Sequence, residues 1–165
     1  SLSNLGLVAS LEILTREFAD RSGVEIETSL EPVELDEVSE LTIYRMVQEA
    51  LTNIGKYANA TKVIVRVKNY TYHAEVTVQD NGVGFDATRL PQASHGLVGM
   101  RHRVEASGGR LDINSRAGGG GSRITGTIPR AVRKPQSALA ESVGAMSSDS
   151  YKAPPPQTTA HDAAI

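Results

Sequence analysis

Two stretches decide the fold: Gln48-Glu49-Ala50-Leu51-Thr52-Asn53-Ile54-Gly55-Lys56-Tyr57-Ala58 and, further on, Asp80-Asn81-Gly82-Val83-Gly84-Phe85. The first reads as a helix with Glu49, Asn53 and Lys56 on one face, at spacings of four and three. The second reads as the end of a strand running into an acidic, glycine-punctuated turn. An amide oxygen is a hard ligand suited to Mg²⁺, which keeps several waters and takes few protein ligands. A lysine is a compact charge for phosphate oxygens, and a carboxylate can orient or deprotonate an attacking group. Asp80 at a pocket floor can accept a hydrogen bond from an amino group such as the exocyclic amine of adenine. Gly82 and Gly84 let the backbone approach a ring or phosphate closely. Each stretch alone also suits something plainer: a solvated Glu–Lys face or an ordinary Asp-Asn-Gly turn. In this order they point to a pocket for a nucleotide and its metal.

Two further segments fit that pocket. His95-Gly96-Leu97-Val98-Gly99-Met100-Arg101 places glycines at a helix start, where backbone N–H groups are free for phosphate, although a loop simply entering a helix would look the same. Gly118 to Ser122 is a glycine run leading into a strand, readable either as a hairpin or as a close approach to a ligand.

Working outward, residues 3–21 carry Leu5, Val8, Leu11, Leu14 and Phe18 at helical spacing, and Gly23 ends the helix. Residues 24–28 alternate as a short strand. Asp36 is expected to cap a long helix reaching Ala58, with Leu41, Tyr44, Val47, Leu51 and Ile54 inward. Alternation over 62–68 and 74–80 predicts a hairpin that delivers Asp80. Residues 81–95 read as a loop, 97–106 as a helix stopped by Gly108-Gly109, and 111–115 and 122–129 as strands. From Ala131 the composition turns to Ala, Ser, Pro, Gln and Thr, and a disordered tail is expected. Three helices and about five strands in this order imply an α+β fold, with the helices on one face of a mixed, mostly antiparallel sheet.

Composition narrows the function classes. The chain of 165 residues is long enough for one core, yet only 39% of it is hydrophobic, consistent with a part that does not pack. A net charge of −2 gives no reason to expect bulk nucleic-acid or anionic-membrane binding. The absence of cysteine removes disulfides, thiolate metal sites and thiol nucleophiles. No apolar run nears the roughly 20 residues of a spanning helix, and no signal-peptide pattern is present. The chain opens on Ser1 and enters helical periodicity almost at once, as expected of a piece of a longer protein.

Taken together, the four segments resemble the catalytic and ATP-binding domain of bacterial sensor histidine kinases, the Bergerat fold shared with gyrase, Hsp90 and MutL. Glu49-x-x-x-Asn53-x-x-Lys56-Tyr57-Ala58 is similar to the N box. Asp80-x-Gly82-x-Gly84 is similar to the G1 box, and His95-Gly96-Leu97-x-Gly99-Met100-Arg101 to the G2 box. Leu2-x-x-Leu5-Gly6-Leu7 and the compact lid resemble the subfamily with a HisKA_3-type dimerisation domain. The resemblance spans about residues 2–129. It implies ATP and Mg²⁺ as cofactors, with Asn53 coordinating the metal and Glu49 acting as general base or as a ligand to a metal-bound water near the phosphoacceptor. Lys56 and Tyr57 would face the phosphates, and Asp80 would bind the adenine amine beside Gly82 and Gly84. Gly96, Leu97, Gly99 and Met100 would belong to the lid, and Ser122 to the nucleotide site.

This sequence departs from the family pattern in places. Tyr57 stands where the subfamily more often has His, and Ser122 where a Thr is usual; the hydroxyl is kept. Four glycines precede Ser122. None of the four histidines suits the phosphoacceptor: His73 falls in the hairpin, His95 and His102 around the lid, and His161-Asp162 in the tail. The acceptor is therefore expected upstream of Ser1, with helix 3–21 as the junction from it. The implied partners are that dimerisation and phosphoacceptor domain and a response-regulator receiver domain, in the cytoplasm. The fragment would be monomeric, contact neither nucleic acid nor membrane, and form a homodimer only within the full kinase. The alternatives are an anti-sigma-type serine kinase of the same fold and a catalytically silent nucleotide-binding module.

Overall fold

The computed structural model of the chain describes residues 5–86 and 95–130. The expected tail, most of the 81–95 loop and Leu2 of the opening motif lie outside the described residues. The elements are α1 (Leu7–Ser22), β1 (Glu25–Leu30), α2 (Glu37–Asn53), a π turn (Ile54–Ala58), β2 (Lys62–Asn69), β3 (His73–Asp80), α3 (His95–Ala106), β4 (Arg110–Ser115) and β5 (Ser122–Pro129). The strands form one sheet in the order β1-β2-β3-β5-β4. β1 runs parallel to β2, and the other pairings are antiparallel. This is the two-layer α+β architecture the sequence implies.

Period-2 alternation sets the sheet. Val63, Val65 and Val67 on β2 and Ala74, Val76 and Val78 on β3 all point to the helical layer and are buried. The register pairs Val63 with Asp80 and Asp80 with Ser122. A core-side position at the end of β3 is thus occupied by a carboxylate, with a hydroxyl beside it. Leu11, Phe18, Ile43, Met46, Val47, Ala50, Leu51, Met100 and Val104 cover the same face.

The helix ends follow local chemistry. Asp36 Oδ1 accepts the Ser39 backbone N–H at 2.7 Å, and Glu37 and Glu40 sit in the first turn of α2, where negative charge meets the positive end of the helix dipole. Gly23 closes α1 in a left-handed conformation, its N–H on the Ala19 carbonyl.

Four expectations need correction. Helix α1 starts only after Gly6, whose φ of 77° is not helical, and Leu5 is exposed rather than inward. In α2, Leu41 is exposed and Tyr44 only half-buried, while Ile43, Met46 and Ala50 face the core. Val47, Leu51 and Ile54 are buried as expected, so the buried face overlaps the expected one and differs at its N-terminal end, where the i+3/i+4 spacing of apolar residues fits two adjacent faces. The helix to Ala58 is also not uniform: its last five residues form a π turn ending at Asn59 in the left-handed region. A π turn inserts a residue into the helical repeat and commonly marks a functional site. The first strand begins at Glu25 and runs on to Leu30, where it pairs with Val67.

Candidate nucleotide site

The C-terminal turn of α2 with its π turn, the end of β3, the start of β5 and the start of α3 enclose a cleft of about 780 Å³, including the part open to solvent. Its walls are mainly apolar: Ala50, Ile54, Ala58, Val78, Phe85, Leu97 and Ile124. The polar groups reaching it are few, as in small-molecule sites generally. They are Asn53, Tyr57, Asp80 and Ser122.

Asp80 is buried, at 6% exposure, with both carboxylate oxygens engaged. Oδ1 accepts the Gly82 N–H at 2.8 Å, and Oδ2 accepts the Ser122 hydroxyl at 2.6 Å. A carboxylate has about four lone-pair sites, so each oxygen keeps capacity for a ligand donor. The turn after it is tied down by backbone bonds: Val83 N–H to the Ala58 carbonyl, Gly119 N–H to the Val83 carbonyl and Gly121 N–H to the Gly82 carbonyl. Gly84 has φ of 68°, and the Arg116 carbonyl oxygen lies where its Cβ would be. The glycine run therefore packs on the Asp80 turn, and Gly84 and Gly121, both at positive φ with backbone where a Cβ would be, permit it.

Asn81, absent from the expected site, helps hold this turn. Its Oδ1 accepts the N–H groups of Thr61 and Lys62 at 2.9 and 3.0 Å, and its Nδ2 donates to the Thr61 hydroxyl at 2.8 Å. It shapes the floor without touching the cleft. Phe85 also escapes sequence reasoning. Its N–H bonds to the Ser115 hydroxyl at 2.8 Å, a contact thirty residues away in sequence, and the residue lines the same cleft as Asp80.

At the other end Asn53 is half-buried, and its Nδ2 is shielded from solvent with no hydrogen-bond partner among the described residues. A buried amide in that state is costly unless something else satisfies it. Tyr57 lines the cleft and is largely exposed, and Lys56 is exposed on the π turn without lining the cleft. Glu49 sits one turn before Asn53, half-buried, with its carboxylate against the Gly96 backbone.

The structure thus brings Asn53, Tyr57, Asp80, Gly84, Leu97 and Ser122 to one cleft. Gly82 lies directly under it, bonded to Asp80. Gly99 faces Arg103 on its own helix, and Met100 is in the core at 1% exposure. No group of three or more His, Cys, Asp or Glu among the described residues could hold a metal. A metal here would rely on Asn53 and ligand oxygens, a donor set compatible with Mg²⁺.

Residues 38–132 match the family model of histidine kinase-, DNA gyrase B- and HSP90-like ATPases. The chain belongs to that family. It is 34% identical to the sensor histidine kinase MctS of Rhizobium johnstonii, over 85% of this chain and 31% of MctS. It is equally similar to the signal transduction histidine-protein kinase/phosphatase DegS of Brevibacillus brevis, over 73% of this chain and 32% of DegS. The chain therefore spans about a third of the length of these curated relatives. Its fold matches the histidine kinase domain of the blue-light activated kinase EL346 of Erythrobacter litoralis, with a TM-score of 0.64 at 20% identity, covering 76% of this chain and 61% of that one. It also matches the histidine kinase AdeS of Acinetobacter baumannii, with a TM-score of 0.61 at 18% identity, covering 74% and 64%. The architecture of this ATPase-family domain is the Bergerat α+β fold, and its matched relatives favour the histidine-kinase reading over the serine-kinase one. Among the described residues no helix is long and apolar enough to cross a membrane.

Proposed function

We propose that this domain is the ATP-binding catalytic part of a two-component sensor histidine kinase. It would bind Mg·ATP for γ-phosphoryl transfer to a histidine on a dimerisation domain, with a response-regulator receiver domain as the onward acceptor. The observation that carries the reading is one cleft with opposite ends: a buried, doubly bonded carboxylate at Asp80 and, at Asn53, an amide whose buried Nδ2 has no partner among the described residues.

In this reading Asp80 accepts the adenine amino group, and its two protein bonds hold the carboxylate in place before the base arrives. The walls from Ile54, Val78, Phe85, Leu97 and Ile124 exclude water from the ring. Asn53 would supply the protein ligand to Mg²⁺, a cation that takes few protein ligands and would supply charge neutralisation at the phosphates. Lys56 and Tyr57 would reach the phosphates from the π turn. Glu49 serves as general base toward the incoming histidine. Mg·ATP supplies a transferable phosphoryl group, and the protein's share is positioning and charge neutralisation. Helix α1 would be the junction from the dimerisation domain, through which the full kinase would form a homodimer, and the domain would work in the cytoplasm.

Calorimetric titration with ADP, and with a non-hydrolysable ATP analogue with and without Mg²⁺, tests this. Saturable binding that Mg²⁺ strengthens for the triphosphate is expected. A folded sample that binds neither nucleotide sinks the proposal.

A further inference from the structure

Glu49 and Gly96 meet across the α2–α3 contact. An added Cβ on Gly96 would coincide with Glu49 Oε1 and stand 2.5 Å from its Cδ and 3.1 Å from its Cγ. The carboxyl group thus fills the space a side chain at position 96 would take. The other glycine of the segment differs: a Cβ on Gly99 would meet only Arg103 side-chain atoms, at 3.7 Å or more. Two glycines of similar appearance in sequence therefore do different things.

We propose that Gly96 is a positioning residue for Glu49: the missing side chain makes a notch at the start of α3 that seats the carboxylate. This rests on the reading of Glu49 as general base and deepens it. Gly96 acts through Glu49, so its own effect belongs to the transfer step. The colliding atoms are the end of a flexible side chain, which can swing away. An alanine at 96 should therefore move the carboxylate rather than unfold the domain. Alanine also suits a helix better than glycine, which works against any loss of stability.

The test is a double-mutant cycle of Gly96→Ala and Glu49→Gln, assayed for phosphotransfer to an acceptor-histidine domain supplied in trans, with the KM for ATP measured alongside. Gly96→Ala is expected to lower kcat at least tenfold, with KM within about threefold of wild type and a melting temperature close to it. In the Glu49→Gln background the same change should cost almost nothing further, because neighbouring groups that act together are not additive. Glu49→Asp, one methylene shorter, should recover part of the rate lost in Gly96→Ala. A raised KM with kcat intact would overturn the proposal and leave Gly96 as a nucleotide contact. Losses that add in the cycle would overturn it too. Full transfer by Glu49→Gln itself would instead remove the general-base reading on which it stands. Should Gly96→Ala fail to fold alone, the Gly96→Ala/Glu49→Asp double variant, whose carboxylate is one methylene shorter, is compared with Glu49→Asp alone, and absence of rescued folding and transfer there also overturns it.

Discussion

The two ends of the cleft, the Asp80 end proposed to take the base and the Asn53 end proposed to take the phosphates, are built to opposite rules. At the base end every group that shapes the floor is engaged within the protein: Asp80 with Gly82 and Ser122, Asn81 with Thr61 and Lys62, and Gly121 with Gly82. At the phosphate end Asn53 leaves its amide nitrogen without a partner among the described residues, and Lys56 and Tyr57 stand exposed on a π turn. The base end is fixed before any ligand arrives, which lowers the cost of binding. The phosphate end holds polar groups whose best partners are supplied by a ligand, and it gives up stability to do so.

The strongest way to break the comparison is at Gly84. Substitution by alanine there forces a left-handed L-residue and drives a methyl into the Arg116 carbonyl. A loss of about 3–4 kcal/mol is expected from the combined backbone strain and displacement, measured by urea unfolding. A loss below about 1 kcal/mol would mean that the floor is adaptable, and the contrast between the ends would go with it.

Asp80→Asn comes next. It keeps an acceptor for Gly82 but removes the charge that would meet the adenine amine. A hydrogen bond to a charged group is worth about 1.5–3 kcal/mol, so nucleotide affinity should fall roughly tenfold to 150-fold. The loss should be equal for ADP and for the Mg²⁺-bound triphosphate analogue, since the base end does not sense the phosphates. A loss specific to the triphosphate would contradict the division of the cleft.

Asn53→Leu probes the opposite end and should reverse the sign on stability. Replacing an unsatisfied buried amide with an apolar group of similar size should stabilise the free domain by about 1 kcal/mol. The same change should abolish the Mg²⁺ dependence of triphosphate binding while leaving ADP binding nearly intact. Thermal unfolding and calorimetry on one sample read both effects. A destabilised variant would show that the amide is already satisfied.

This contrast also marks how far the sequence could be read. The strands were legible because alternation in 62–68 and 74–80 fixes which side chains face inward, and with them the placement of Asp80. Asp80 and Asn53 carried chemistry in their own identities, and Ser122 entered through the family resemblance. The inward face of α2 was legible at Val47, Leu51 and Ile54 but not at its N-terminal end, since Leu41 and Ile43 both fit a helical stripe and only packing on the sheet selects Ile43. The π turn leaves no mark in composition, because it is a change of hydrogen-bond partner and not of residue type. Asn81, Phe85 and the Glu49–Gly96 contact depend on segments distant in sequence. Asn81 reads locally as a turn residue, and its partners Thr61 and Lys62 are set by sheet register.

The smallest expected effect asks whether the phosphate end depends on α2 as a whole or only on its final turns. Asp36 caps the far end of that helix, and its bond from the Ser39 backbone N–H holds its pKa below the usual aspartate range. Asp36→Ala should cost about 0.5–1 kcal/mol, toward the low end for an exposed cap. Because the folded pKa is depressed, the cap's contribution is complete above the ordinary aspartate value near 4 and is lost as pH falls through the lower, folded value. The stability difference between wild type and Asp36→Ala should therefore be flat at neutral pH and close in acid. Nucleotide affinity should stay unchanged throughout, because Asn53 and Glu49 are held by contacts with the sheet and with α3 rather than by the start of the helix. A parallel fall in affinity would show instead that fraying at Asp36 propagates to the cleft. The phosphate end would then be as cooperative with the rest of the domain as the base end is.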